Sequence, residues 1–411
     1  MNFTNDRHAG ERLHGLDALR GFALLLGVIF HATMSFLPGP QIWFVRDADP
    51  SVTLGLLFFV THLFRMTTFF LIAGFFAHMS FHRLGTNAFV RDRLKRIGLP
   101  LVVGWPLVFG SILVVIIGSA IAANAGAPPP HAPPPPAFTP SSFPLTHLWF
   151  LYVLLIFYAI SLLGRRVIRA LDRQGRFVAW TDRMLRSMLG PWAAVVLAIP
   201  LVVTLMLRAH WLPWFGIPTP DQSLYPNAVA LFGYGTAFVF GWLLHRQGSL
   251  LAIIEKYWRP NLCLALLATG SCLALTGLRP SLALAPDLLT KLACAVSYAL
   301  ASWSWTLAVV GAALRHLSAY SAMRRYVADA SYWIYLVHLP LLMALQSLAA
   351  GLPWAWWLKF PMILIVAFAL MFASYHGCVR HTFVGAVLNG RRKPRGPAVE
   401  TTKDCAVTPN L

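Results

Sequence analysis

The feature that most restricts the fold of this chain is a series of long apolar stretches. A transmembrane helix needs about 20 mostly apolar residues to cross roughly 30 Å of hydrocarbon. Only 11% of the residues are charged, against about 25% in soluble domains. The sequence therefore predicts an all-α polytopic membrane protein. Ten stretches qualify, at about 17–37, 54–80, 97–122, 147–164, 192–207, 227–245, 261–278, 289–314, 330–350 and 356–378.

The positions of the basic residues predict how these spans are oriented. Of the 33 Lys and Arg residues, 27 fall on one side when the connections are assigned alternately to the two faces. The positive-inside rule makes that side cytoplasmic. Both termini then lie in the cytoplasm, as an even number of spans requires. The net charge of +19 is thus an orientation signal and a contact with membrane lipids rather than a nucleic-acid-binding surface.

The spans divide the chain into a tail, a membrane domain and a second tail. We predict a cytoplasmic N-terminal tail at 1–15, a ten-helix membrane domain at 16–378 and a basic cytoplasmic C-terminal tail at 379–411. Residues 126–146, on the outer side, contain nine prolines, which favour an extended polyproline helix. This segment is either a stiff spacer or a lid over an outward-facing pocket.

Two ionisable residues of the first span face the same way. Arg20 and His31 are 11 residues apart, which is almost three turns of a helix and about 16 Å along its axis. Arg20 then lies at the cytoplasmic end and His31 in the outer half of the bilayer. This arrangement suits a long anionic donor whose head stays at the cytoplasmic end. The alternative is a snorkelling arginine and a hydrogen-bonded interior histidine.

The second span carries an arginine, Arg65, near the middle of the bilayer. A buried cation needs a partner, yet all 14 Asp and Glu residues lie at span ends, in connections or in tails. Arg65 must then face backbone carbonyls, water or a ligand. We predict that it points into a substrate cavity, although a structural arginine bonded to backbone carbonyls is the alternative.

Histidines in aromatic surroundings occur in the fourth and ninth spans. His147 begins the fourth span, where both an interfacial anchor and a place beside an outer acceptor pocket are open. His338 lies deeper in the ninth span, where a hydrogen-bonded packing role is favoured. The residues that we predict to contact an acceptor are His147, Trp149, Tyr152 and His338.

These segments together resemble the membrane acyltransferase type 3 family, and within it the glucan-biosynthesis C-type branch. The family pattern places an Arg, ten intervening residues and a His in the first span, as Arg20 and His31 do. One departure is Met66-Thr67-Thr68, which stands where a proline is common and puts a kink of the second span in doubt. The other matching segments, across about residues 12–393, are Phe64-Arg65-Met66, Phe69-Phe70, Gly74-Phe75-Phe76, Arg91 to Pro100, His147 to Leu151, Ser331 to Pro340 and Val379 to Gly390.

The resemblance implies an enzyme that takes an acyl group from cytoplasmic acyl-CoA to an acceptor across the bacterial inner membrane. In this branch it implies succinylation of osmoregulated periplasmic glucans, and the family's catalytic histidine corresponds to His31. We expect Arg20 and Arg65 to assist His31. The donor is succinyl-CoA or acetyl-CoA, and no tightly bound cofactor is expected. The arginines expected to meet its phosphates are Arg20, Arg91, Arg93, Arg96, Arg324 and Arg325.

Several alternatives remain open from the residues alone. His31 can act as a general base toward a sugar hydroxyl or form a covalent acyl-histidine. The acceptor can be another envelope glycan, a lipid or a secondary metabolite. A glycan or lipid transporter is the alternative from another class, although its usual repeat between two halves is not visible. The sequence has no metal-ligand spacing of cysteines, and the oligomeric state stays open.

Overall fold

The apolar stretches form helices because a helix satisfies its own backbone hydrogen bonds, as a chain in lipid must. The computed structural model describes residues 3–123 and 138–389, and within these ranges it contains helices and no β-strand. The helices are α1 Phe3–Thr33, α2 Val52–Leu84, α3 Thr86–Arg93, α4 Leu99–Ala123, α5 Trp149–Leu171, α6 Arg176–Met188, α7 Ala193–Leu207, α8 Ala228–Arg246, α9 Leu251–Lys256, α10 Trp258–Thr276, α11 Leu288–His316, α12 Ala322–Ala350, α13 Trp356–Ser374 and α14 Phe383–Asn389.

Eight helical segments are long and apolar enough to cross a membrane, as expected of a polytopic membrane protein. A ninth candidate is the pair α6 and α7, which is bent by 112° at its break. Two of the ten predicted stretches differ. The stretch 192–207 corresponds to α7, which has only 15 residues. The stretch 261–278 corresponds to α10, whose first residues Trp258, Arg259, Pro260 and Asn261 lower its hydropathy.

The centre of the bundle is a close contact between α2 and α8. A Cβ atom at Gly74 would lie 2.0 Å from Phe238 O, and one at Gly241 would lie 1.9 Å from Leu71 O. Small residues at a crossing let two helix backbones approach closely. These two glycines are therefore required for the observed packing of α2 on α8.

The departure from the family pattern in α2 has a structural counterpart. The helix runs without interruption from Val52 to Leu84. Thr67 Oγ1 lies 3.0 Å from Ser302 Oγ, and the Thr68 hydroxyl donates to Thr306 at 3.3 Å. The two threonines thus join α2 to α11 by hydrogen bonds at the position where a proline is common.

A buried ion pair fixes the connection between α1 and α2. Lys359 Nζ on α13 lies 2.5 Å from Asp47 Oδ1, and both side chains are almost fully buried. The backbone N–H of Asp47 donates to Ser35 O at 2.8 Å, and Trp356 N–H donates to Asp49 at 2.8 Å. The connection 37–51 is therefore held against the start of α13.

Parts of the predicted loop and tails lie outside the described residues. Of the proline-rich segment 126–146, only residues from 138 onward are described, and there Trp105 Nε1 donates to Pro144 O at 2.8 Å. Of the predicted tail 379–411, the described part includes α14, where Val387 and Leu388 are buried. In the N-terminal segment 1–15, α1 begins at Phe3.

Candidate active site

A large cavity lies at the end of the bundle that contains His31. Its volume is about 340 Å³. Pockets that bind small molecules usually measure about 300–1,000 Å³, so a substrate-sized ligand fits. The walls come from α1, α2, α4, α5 and α12 and from the segments 34–51, 146–148 and 208–227. The polar side chains in the wall are His31, His62, Thr146, His147, Thr219, Asp221 and Gln222.

Histidines from α1, α2, α12 and the short 3-10 helix Thr146–Leu148 before α5 meet beside this cavity. The ring centroids of His31 and His338 are 5.2 Å apart, and those of His338 and His147 are 4.8 Å apart. His62 stacks on Phe30 at 5.5 Å, directly next to His31 in the wall. Among the described residues, no group of His, Cys, Asp or Glu could hold a metal ion.

Hydrogen bonds to backbone carbonyls orient three of these rings. Tyr335 O lies 3.0 Å from His147 Nε2 and 2.7 Å from His338 Nδ1, and Phe215 O lies 2.8 Å from His62 Nε2. A carbonyl oxygen can only accept, so each of these ring nitrogens carries the proton. In the neutral ring the opposite nitrogen then holds a lone pair. Within the described part of the chain, His147 Nδ1, His338 Nε2 and His62 Nδ1 have no hydrogen-bond partner.

The imidazole of His31 differs from the other three because no described residue orients its ring. Its Nδ1 is buried without a partner in the described structure, and its neighbours are the rings of Phe30, Trp43 and His338. The backbone at this position is fixed instead. Gln346 Nε2 donates to His31 O at 3.0 Å and to Ala32 O at 3.1 Å. The ring of His31 thus stands on a fixed backbone and borders the cavity.

Arg65 lies beside the histidines but does not form part of the cavity wall. Its guanidinium carbon is 4.2 Å from the centroid of Phe30, whose ring does line the cavity. Gly27 makes room for it, because a Cβ there would lie 2.9 Å from Arg65 Nη1. Among the described residues no carboxylate pairs with Arg65, and its buried Nε has no partner. The contact that the described structure gives the guanidinium of Arg65 is the cation–π contact with Phe30.

The predicted donor-binding arginines form two groups at the other end of the bundle. Asp17 joins Arg20 on α1 to Arg325 on α12, at 3.0 and 3.1 Å. Asp92 pairs with Arg93 at 3.3 Å and Arg96 at 2.9 Å. Carboxylates thus partly neutralise four of the six arginines.

The other two arginines differ from these four. Arg324 donates to Ala319 O at 2.6 Å, and Arg91 is exposed. Arg324 and Arg325 border a small cavity together with His14 and Tyr320. This small cavity opens beside the ion pairs of Asp17.

The part of the chain that forms this site matches a known protein family. A family model described as an acyltransferase domain matches residues 13–376, which include the large cavity and both arginine groups. The chain belongs to this acyltransferase family. The family predicted from the sequence is thereby confirmed.

The acyltransferase is also similar in sequence to individual proteins of Escherichia coli. It is 32% identical to the Glucans biosynthesis protein C of Escherichia coli strains SMS-3-5, O1:K1 and O139:H28 over 146 residues. The match covers 36% of this chain and 37% of each relative, so the chain matches little more than a third of their length. No solved structure matches it with significance.

In this acyltransferase the predicted acceptor residues separate into two pairs. His147 and Trp149 line the cavity. Tyr152 does not line the cavity, and its hydroxyl donates to Leu224 O at 2.9 Å. His338 lies beside His31 and His147, and its Nδ1 donates to Tyr335 O at 2.7 Å.

Some cavity residues received no role from the sequence. Trp43 and Asp221 come from connections, and their position depends on contacts across the bundle. The indole Nε1 of Trp43 donates to Gln346 Oε1 at 2.9 Å. Burial raises the pKa of Asp221 above its usual range, although a hydrogen bond from Gln222 opposes the shift. His62 lies three residues before Arg65, and this spacing on one helix is the sequence signal for His62.

Proposed function

We propose that this acyltransferase moves a succinyl or acetyl group from cytoplasmic acyl-CoA to hydroxyl groups of a periplasmic carbohydrate. The observation that carries the proposal is the place of His31 in the wall of a substrate-sized cavity, about 16 Å along α1 from Arg20. A donor that spans this distance has its phosphates at the arginines and its thioester at the imidazole.

The proposed topology follows from the basic residues. The arginine groups face the cytoplasm, and the large cavity faces the periplasm of the bacterial inner membrane. Counting the bent pair α6 and α7 as one span and adding α10 gives ten spans with both termini inside. Only the arm of the donor that carries the thioester then has to enter the bundle for acyl transfer at its outer end.

The arginines at the proposed cytoplasmic end of the bundle supply charge-assisted hydrogen bonds to the phosphates of acyl-CoA, which guanidinium groups make well. Arg20 and Arg325 keep about two fifths of their side-chain surface exposed, at 41% and 42%. A phosphate can therefore displace or share their contacts with Asp17. Arg93 and Arg96 supply a second pair of guanidiniums on the adjacent α3 and its continuation into α4.

The chemistry centres on His31, and both routes left open by the sequence use it. As a general base, His31 takes the proton of a sugar hydroxyl while the oxygen attacks the thioester carbonyl. The carbon–sulfur bond breaks, and the imidazolium returns the proton to the CoA thiolate. As a nucleophile, the imidazole attacks the thioester carbonyl, the carbon–sulfur bond breaks and CoA leaves as the thiolate. The sugar hydroxyl then attacks the acyl-imidazole, which restores the free imidazole, and the hydroxyl proton passes to the thiolate. The lone pairs of His338 and His147 are neighbouring proton acceptors.

The mouth of the cavity has the groups that a carbohydrate needs. The rings of Trp43 and Trp149 offer apolar faces to the C–H side of a sugar, and Asp221 and Gln222 offer hydrogen-bonding groups to its hydroxyls. The acceptor that we propose is the osmoregulated glucan, on the strength of the name of the relatives.

Mass spectrometry of periplasmic glucans tests this assignment. Cells with the intact gene, without it, with His31→Ala and with His210→Ala are compared, because His210 is an exposed histidine outside the cavity. We expect the succinyl or acetyl content to fall in the deletion and His31→Ala strains and to persist in His210→Ala. Unchanged content in the deletion strain would remove the glucan as acceptor.

A further inference from the structure

Three imidazole rings gather near the ends of α2 and α8, far from the large cavity. His78 Nδ1 and His245 Nδ1 are 2.8 Å apart, and the ring centroids of His78 and His82 are 4.4 Å apart. His78 is only 2% exposed, and its Nε2 has no hydrogen-bond partner among the described residues. A buried polar nitrogen without a partner is costly unless something satisfies it.

Arginines surround these histidines. The guanidinium of Arg165 lies 4.6 Å from the ring of Phe81, and its buried Nε lacks a partner in the described structure. The positive charges of Arg165, Arg246 and Arg169 all act on His82. We name this group the basic cluster; its members are His78, His82, His245, Arg165, Arg169 and Arg246.

The described carboxylates near the basic cluster are too few to neutralise its basic side chains. Within the described residues, the carboxylate that pairs with it is Asp182, 2.9 Å from Arg246. The C-terminal ends of α2, α5 and α8 contribute partial negative charge, but only about half a unit charge for each helix. By contrast, Asp17 and Asp92 each pair with two of the donor-binding arginines.

We propose that the basic cluster binds a phosphate group. Phosphate offers several acceptor oxygens and up to two negative charges, which suits convergent guanidinium and imidazole donors. The free Nε of Arg165 supplies a donor that no described residue uses, and the free Nε2 of His78 supplies another when His78 Nδ1 accepts from His245. An anion that binds beside an imidazole favours its protonated form, in which both ring nitrogens donate.

The position of the cluster limits the source of this phosphate. His78 lies six residues before the end of α2, or about 9 Å along the axis. It lies 16 residues from His62, or about 24 Å from the cavity wall. The site is therefore separate from the acyl-transfer cavity and near the depth of lipid headgroups. Its ligand is a lipid phosphate or the phosphate of a soluble nucleotide.

Calorimetric titration of the full-length protein in an uncharged detergent tests the site. The two probes are short-chain dihexanoyl phosphatidylglycerol and coenzyme A. The variants are Arg165→Gln and His82→Gln, the second at an exposed position. The matched control is Arg259→Gln, an exposed arginine on α10 whose guanidinium lies against Trp258.

We expect at least one of the two probes to bind each cluster variant about tenfold more weakly than the wild type, because a charge-assisted hydrogen bond is lost. Both probes should bind Arg259→Gln as tightly as the wild type. A loss confined to phosphatidylglycerol supports a lipid phosphate, and one confined to coenzyme A supports a soluble nucleotide. The proposal is overturned if neither probe binds, or if both bind the cluster variants as tightly as the wild type. Coenzyme A binding that survives in both variants is assigned to the donor-binding arginines, and phosphatidylglycerol binding then decides the proposal.

Discussion

Gln346 on α12 bonds to the backbone at His31 on α1, with 3.0 Å between Gln346 Nε2 and His31 O. The same amide nitrogen reaches Ala32 O, and the amide oxygen accepts from Trp43 Nε1. Carbonyls at the end of a helix lack intrahelical partners. One buried side chain thus satisfies the end of α1 and fixes an indole of the cavity wall.

Replacement of this amide tests its positioning role. Gln346→Leu leaves two carbonyls and an indole N–H without their partner, and each unpaired group costs about 1–3 kcal/mol. We expect kcat to fall roughly tenfold, since 1.4 kcal/mol corresponds to a factor of ten, while KM for the donor changes little. Steady-state kinetics measure both. The control is Ser347→Ala, whose hydroxyl bonds Met343 O on the same helix. Wild-type kcat in Gln346→Leu would contradict the role.

The stack of Arg65 on Phe30 predicts that lysine cannot replace this arginine. Lysine lacks the planar guanidinium that lies against the ring, and its compact charge is more strongly hydrated. We expect Arg65→Lys to lower the rate of acyl transfer by about tenfold or more at normal expression. The control is Arg83→Lys, an exposed arginine of the same helix. Full activity of Arg65→Lys would show that only the charge matters.

The buried pair of Asp47 and Lys359 predicts a large effect on stability. Removal of one partner leaves a buried charge alone, which typically costs about 3–5 kcal/mol. We expect Lys359→Met to lower the Tm in detergent strongly. The double variant Lys359→Met with Asp47→Leu should recover much of this loss, because neither charge then remains. A double variant as unstable as the single one would contradict this explanation.

The raised pKa of Asp221 predicts a pH dependence of acceptor binding. The carboxylate form accepts hydrogen bonds from sugar hydroxyls, and it is lost as the pH falls through this pKa. KM for the acceptor should therefore increase toward acid pH, and the increase should begin at a higher pH than for an ordinary aspartate. Asp221→Asn should remove this dependence. A profile that Asp221→Asn leaves unchanged would assign it to another group.

The sequence predicted the helical class and the family, because apolar length and ordered motifs are local properties. It also located His31 and Arg20 on one helix, and α1 does contain both. Local hydropathy was less reliable for 192–207, where the helix is short and bent against α6. There the length of the apolar run overestimated a straight span.

The remaining site residues could not be predicted, because tertiary contacts decide their place. Gln346 and His31 are 315 residues apart in the chain. Asp221 and Trp43 lie in connections, where periodicity carries no information about which surface they border. Arg65 was identified as a buried cation without a carboxylate, yet its stacking on Phe30 follows from the packing of α1 on α2.

The most direct test of the account is the release of CoA from succinyl-CoA by the purified protein with a glucan acceptor. Wild type and His210→Ala should transfer the acyl group at equal rates. His31→Ala should reduce the rate by about 10²–10⁴-fold, the usual contribution of a general base. Transfer by His31→Ala at a rate near that of the wild type would contradict the assignment of His31 as the catalytic residue.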